Sequence, residues 1–170
     1  DVCSSDLYPD EHLYAGGISS MRQDHFLNPH IDNSHDKERH KWRVFNLLYY
    51  VTPKWEMDFG GNLEIWPLGV KNEQTTIHSK FNRLVIMATH DASWHSVSPI
   101  THDGIRCCVS NYYFSDSPSK PNEQFHVTSF RGRPNQIIRD LYLRFDATLR
   151  MGVRRLFSKG IVKTDHLYKK

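Results

Sequence analysis

His30-Ile31-Asp32 is the pair in this chain best placed to do chemistry. On a strand, side chains two apart point the same way, with their α-carbons about 6–7 Å apart. An imidazole and a carboxylate at that spacing suit two ligands of one cation. Alone the pair is a weak signal, because an ordinary polar strand end looks the same. A third donor must come from elsewhere, and His95 is the candidate, at the start of a strand with Trp94 before it and Val97 two residues after. Arg106 extends the set. If residues 101–104 (THDG) turn a simple hairpin, His95 stands opposite Ser110 and Arg106 shares that face, about 13 Å nearer the turn. A buried guanidinium looking toward a cation needs an anion between them. A small dicarboxylate that chelates the metal at one end and pairs with the arginine at the other meets that need. Two histidines and one carboxylate leave three positions of an octahedral ion open. That donor set favours non-haem Fe(II) oxygen chemistry over a closed zinc site.

The elements that must position these residues read as strands. Residues 43–51 (RVFNLLYYV) and 83–88 (RLVIMA) are apolar, 61–66 (GNLEIW) alternates after a Gly-Gly turn, and 95–100 and 105–114 (IRCCVSNYYF) flank a turn; all are short runs between Gly, Pro, Asn and Asp clusters. That pattern predicts an all-β sandwich or barrel. Beyond residues 117–122 (SPSKPN) the pattern changes to one long helix, entered near Pro134 and left near Gly160. Ile138, Leu141, Phe145, Leu149 and Leu156 recur at helical spacing and form an apolar stripe, expected to pack on the outside of the sheet. Charge divides at the same place: residues 1–117 carry a net −5 and residues 118–170 a net +8.

Composition bounds the rest. With 170 residues, 38% hydrophobic and 12% aromatic, the chain can bury a core, and wholesale disorder is not expected. No apolar run approaches the roughly 18–20 residues of a membrane span, so no membrane partner is expected. Cys3, Cys107 and Cys108 have no framework or metal-ligand spacing, which suits a reducing, cytoplasmic compartment. The arginines of the basic tail raise the question of nucleic acid. The i,i+4 pairs Asp140–Arg144 and Asp146–Arg150 favour a solvated helix face instead, and a nucleic-acid partner is not expected.

Taken in order, the segments resemble the Fe(II)/2-oxoglutarate-dependent oxygenases, and within them the prolyl 4-hydroxylase-like group. HIDN at 30–33 is similar to that group's H-x-D-N opening, and FNLLYYVTPKW at 45–55 to its strand ending in Tyr-Tyr. GGNLEIWP at 60–67, KFNRLVIMATHDASWHSV at 80–97 and GIRCCVSNYYF at 104–114 are similar to its Gly-Gly, distal-histidine and arginine segments. The likeness covers roughly residues 20–116. It implies a mainly β fold, a double-stranded β-helix (a jelly-roll or cupin-like barrel) with the long C-terminal α-helix packed outside. It implies one oxygenase domain over 1–170: a β-roll core at 1–117, lacking part of the usual N-terminal brace, and a basic helical extension at 118–170.

The resemblance also implies site roles. His30, Asp32 and His95 would bind Fe(II), and Arg106 would bind the far carboxylate of 2-oxoglutarate. The Tyr50 hydroxyl would support that carboxylate, and Asn46 would line the pocket where the group often has Thr. O2 is the co-substrate and ascorbate the expected reductant. The implied reaction is hydroxylation of an unactivated C–H bond coupled to oxidative decarboxylation of 2-oxoglutarate, with a prolyl residue of a peptide or protein as the leading substrate. A free amino acid or other small metabolite is the alternative substrate, and a non-catalytic metal-binding or sensor β-roll the alternative role. Two features depart from the group. Residues 19–22 (SSMR) hold no tyrosine before H-x-D, and Arg106-Cys107-Cys108 lacks the hydroxyl of an R-x-S motif.

Overall fold

The computed structural model describes residues 6–11, 13 and 16–157. Cys3 and Gly160 lie outside the described residues. The strands are β1 (Tyr8–Pro9), β2 (Gly17–Met21), β3 (Leu27–Ile31), β4 (Trp42–Tyr50), β5 (Leu63–Ile65), β6 (Thr75–Ile77), β7 (Arg83–Ala88), β8 (His95–Val97), β9 (Arg106–Ser115) and β10 (Ser129–Phe130), followed by helix α1 (Ile137–Leu156).

Two antiparallel sheets face one another. In the first, β1 and β2 pair along β9, which pairs with β4, and β4 with β7; the second runs β10-β3-β8-β5-β6. From β2 to β9 the chain passes back and forth between the sheets, staying in one only for the β5–β6 hairpin, so that strands distant in sequence become neighbours, β2 with β9 and β3 with β8. That winding is the double-stranded β-helix. Period-2 alternation sends Asn46, Leu48 and Tyr50 inward from β4. Arg106, Cys108, Tyr112 and Phe114 point inward from β9, all four of them buried.

The winding corrects the expected hairpin. β8 and β9 lie in different sheets: His95 pairs with His30 and Ile65, whereas Arg106 pairs with Met21. Residues 98–105 cross between sheets, so His95 does not stand opposite Ser110. Both side chains still face the interior, but from opposite walls.

The helix begins at Ile137 and lies outside the barrel, against β10. Its apolar stripe is not packed on a sheet. Ile138 is 87% exposed, and Leu141, Phe145, Leu149 and Leu156 are exposed with it. What anchors the C-terminal part is instead a polar clamp on the outer face of the second sheet. Arg133 donates from Nη2 to Glu64 Oε2 at 2.8 Å and to the Val97 carbonyl at 2.9 Å. The same carboxylate oxygen accepts from Ser96 Oγ at 2.6 Å, and Ser96 Oγ accepts from Trp66 Nε1 at 2.8 Å. Glu64 and Ser96 are buried.

Candidate active site

β3 ends in His30 and Ile31, and Asp32 follows directly; β8 begins at His95, its register partner. The alternation that brings His30 inward therefore brings His95 to it. The ring centroids lie 4.1 Å apart. One ligand atom from each of His30, Asp32 and His95 falls within 4.8 Å of the others, and all three residues are buried. Among the described residues no other group of three or more His, Cys, Asp and Glu meets that test.

The histidines are oriented alike. The Nδ1 of His30 donates to the Asn28 carbonyl at 2.9 Å, and that of His95 to the Ser93 carbonyl at 2.9 Å. In this tautomer each Nε2 keeps its lone pair free for a cation. Burial, joined by the charge of His95 and opposed by Asp32, pulls the His30 imidazole down from 6.5 to about 4, so it is neutral at physiological pH. Asp32 Oδ2 is buried without a hydrogen-bond partner among the described residues and lies 3.8 Å from His95 Nε2. A buried carboxylate oxygen in that state calls for a cation or a donor. Phe130 of β10 stacks on the His30 ring at 4.9 Å and closes that side.

Arg106 is 3% exposed. Its Nη2 meets only the weak thioether acceptor Met21 Sδ, at 2.8 Å, and its Nε has no hydrogen-bond partner among the described residues. The guanidinium lies 5.6 Å from the Tyr50 ring. Burial pushes the Tyr50 hydroxyl well above its usual value, so it stays a neutral donor. Burial also pushes the Cys108 thiol up to about 11, which keeps a second anion away from Arg106. Asn46 is buried, with its Oδ1 unpartnered among the described residues. Such a set suits an anion: one fixed cation, a neutral hydroxyl and few competing acceptors. Thus the four residues read as ligands and anchor come to one interior, with Tyr50 close to Arg106 and Asn46 in register with Tyr112.

Arg43 is a site residue that sequence reasoning misses. It is 2% exposed, its Nη1 is 3.9 Å from Asp32 Oδ1, and it stacks on Tyr112 at 3.9 Å. Its Nε and Nη2 have no hydrogen-bond partner among the described residues. Strict alternation from Tyr50 would turn Arg43 outward. A β-bulge between Arg43 and Phe45 adds one residue to β4 and turns it in. Tyr112 stands with it: burial first, then the charge of Asp32, raises its hydroxyl well above the usual range.

A barrel holding a buried two-histidine, one-carboxylate cluster and a buried arginine defines a β-roll metal-dependent oxygenase scaffold. Residues 16–114 match the 2OG-Fe(II) oxygenase superfamily, and the chain belongs to it. The family works with Fe(II), 2-oxoglutarate and O2. Among curated proteins, the mouse (Mus musculus) prolyl 3-hydroxylase OGFOD1 is 28% identical over 96 residues, which is 54% of this chain and 17% of that protein. The chain therefore spans about a sixth of the length of the curated relative it matches. Among solved structures, a Trichoplax adhaerens prolyl hydroxylase in complex with a hypoxia-inducible-factor peptide is 24% identical, with a TM-score of 0.48 over 63% of this chain and 46% of that one. A prolyl 4-hydroxylase from Phytophthora capsici is 23% identical, with a TM-score of 0.48 over 84% of this chain and 44% of that one.

Proposed function

We propose that this chain is a prolyl-hydroxylase-like dioxygenase. In this reading His30, Asp32 and His95 hold ferrous ion, and Arg106, with Tyr50 and Asn46, seats 2-oxoglutarate. The substrate is a prolyl residue of a peptide or protein. The supporting observation is the pairing of a partnerless buried carboxylate oxygen, clustered with two buried histidines, with a separate, under-satisfied buried guanidinium. One set fits a divalent cation, the other the far carboxylate of a keto diacid.

Bound iron supplies O2 activation: the substrate C–H bond becomes C–OH as 2-oxoglutarate and O2 are converted to succinate and CO2. The chain's own residues do the rest. The Asn28 and Ser93 carbonyls fix both imidazoles in the metal-binding tautomer. Asp32 offsets part of the cation's charge, and Arg43 beside its other oxygen keeps that carboxylate in place. The Arg106 guanidinium and the neutral Tyr50 hydroxyl orient the co-substrate, and burial excludes water from its far end. Ascorbate is the reductant we expect to sustain turnover by returning oxidised iron to the ferrous state. The test is succinate formation with Fe(II), 2-oxoglutarate and ascorbate, together with a gain of one oxygen mass on prolyl peptides. Succinate with no peptide modified, but with an oxygen gained by a free amino acid, would move the substrate to the small-metabolite class. No succinate with any substrate would leave a metal-binding β-roll.

A further inference from the structure

Helix α1 is turned inside out. Its half-buried side, with Leu143, Ala147, Arg150 and Met151, faces the body of the protein. Its opposite side carries Ile138, Leu141, Tyr142, Phe145, Leu149 and Leu156, which are 58–87% exposed. At about 100° per residue these six occupy one continuous arc along the helix. Isolated exposed apolar residues need no explanation, but an aligned row of six large ones does.

The charges around the row say what it fits. Arg139, Arg144 and Arg155 are exposed and stand along its two margins. Of the helix's two carboxylates, Asp140 is held on the half-buried side, whereas Asp146 lies on the Arg139 margin and is bonded to Arg150. Asp140 accepts from Arg131 at 2.6 and 2.9 Å and from the Gly132 amide at 2.9 Å, and Asp146 from Arg150 at 2.8 Å. The exposed side is therefore apolar along its middle and cationic at its edges. Two copies laid row to row would bring arginine against arginine with only Asp146, already bonded to Arg150, to meet them, which disfavours self-pairing. A nucleic acid would occupy the arginines and leave the apolar row in water. An anionic lipid surface satisfies both: an acyl boundary for the row and headgroup phosphates for the arginines, whose stems can lie along the apolar surface.

We propose that the solvent face of α1 is a membrane-surface helix that takes an anionic lipid layer, with Phe145 and Leu149 at the centre of the inserted row and Arg139, Arg144 and Arg155 on headgroups. This revises the expectation that the chain has no membrane partner. The helix lies on the bilayer rather than crossing it, since no helix among the described residues is long and apolar enough to span one. The proposal stands independently of the oxygenase reading, because no residue of α1 belongs to the candidate site.

The test uses the full chain and sedimentation with vesicles of phosphatidylcholine alone or with about one third phosphatidylserine. Binding is expected only to the anionic vesicles and should weaken steeply with salt. The double variant Phe145→Ser/Leu149→Ser should lower it at least tenfold, and Arg144→Glu/Arg155→Glu similarly. The urea unfolding midpoint is expected to stay unchanged in both, showing that the barrel is intact. Absence of binding to anionic vesicles would overturn the proposal, as would binding that both double variants retain. A concentration-dependent dimer dissolved by Phe145→Ser/Leu149→Ser, without vesicle binding, would assign the face to a second copy instead. Salt-sensitive RNA binding that survives loss of Phe145 and Leu149, again without vesicle binding, would assign it to nucleic acid.

Discussion

His95 and Arg106 sit on opposite walls of the barrel, and in the proposed site their tasks are separable. His95→Ala removes one of three donors and should lower ferrous ion affinity by a factor of a hundred or more, read as metal content after dialysis. Arg106→Ala should leave metal content unchanged and weaken 2-oxoglutarate by at least a hundredfold, read by calorimetry on the metal-loaded protein. A partner truncated from a buried charge pair costs roughly 2–5 kcal/mol, which sets that size. Equal loss of metal in both variants would mean that Arg106 supports the cluster rather than the co-substrate. His30 and Asp32 are legible in the sequence as two donors at i and i+2, and His95 through the ordered segments that resemble the family. Arg43 is not, because the bulge that turns it inward reverses the parity of the strand. Met21 is a similar case: only the β2–β9 register, set by a pairing of distant strands, brings its sulfur to Arg106.

At the scale of elements, the turn before β5 shows how backbone geometry supports the proposed co-substrate seat. Gly60 has φ +78° and ψ −159°, a region that only glycine adopts readily. A Cβ there would meet the Pro99 carbonyl oxygen at 1.9 Å. Gly60→Ala should therefore destabilise the fold by more than about 3 kcal/mol, visible in chemical denaturation. Gly61 has φ +66°, and its added Cβ would lie 3.0 Å from Ile100 Cγ1 and 3.3 Å from Arg106 Nε. Gly61→Ala should fold, keep metal, and bind 2-oxoglutarate about tenfold more weakly; an unaltered affinity would separate this turn from the seat. The Gly-Gly pair reads in sequence only as a turn. Its contact with Arg106 depends on the crossing segment 98–105, which the simple hairpin reading misplaces.

A second element-scale prediction concerns the clamp beneath β5 and β8. Arg133→Ala leaves the Glu64 carboxylate buried with only Ser96 Oγ to meet it and should cost about 3–5 kcal/mol. Combining it with Glu64→Gln removes the stranded charge, so the double variant should be more stable than Arg133→Ala alone. A double-mutant cycle on urea midpoints measures the coupling. Additive costs would show that Arg133 contributes through its Val97 carbonyl bond rather than through the ion pair.

For the whole molecule, the buried histidines link folding to pH. Unfolded, His30 would titrate near 6.5; folded, burial holds it at about 4. Above pH 6.5 neither state is protonated there, and the group contributes no pH dependence. Between 6.5 and about 4 the unfolded chain takes a proton that the folded chain refuses, so stability falls as pH falls. The slope is about 1.4 kcal/mol per pH unit, on the order of 3 kcal/mol in all. His35 and His90 are lowered by burial too and act in the same direction. Asp140, lowered chiefly by its bond from Arg131, also stabilises less as pH falls, but around and below 3.8, a separate window. Metal-free protein should thus lose stability progressively from pH 6.5 to 4, measured by denaturant titration across that range. His30→Asn, whose amide can still donate to the Asn28 carbonyl, should flatten the slope by nearly one proton. Ferrous ion competes with the proton for Nε2, so loading the wild-type protein should raise its stability most near neutral pH and progressively less toward pH 4. A slope that His30→Asn leaves unchanged would place the refused proton on His35 or His90, outside the cluster.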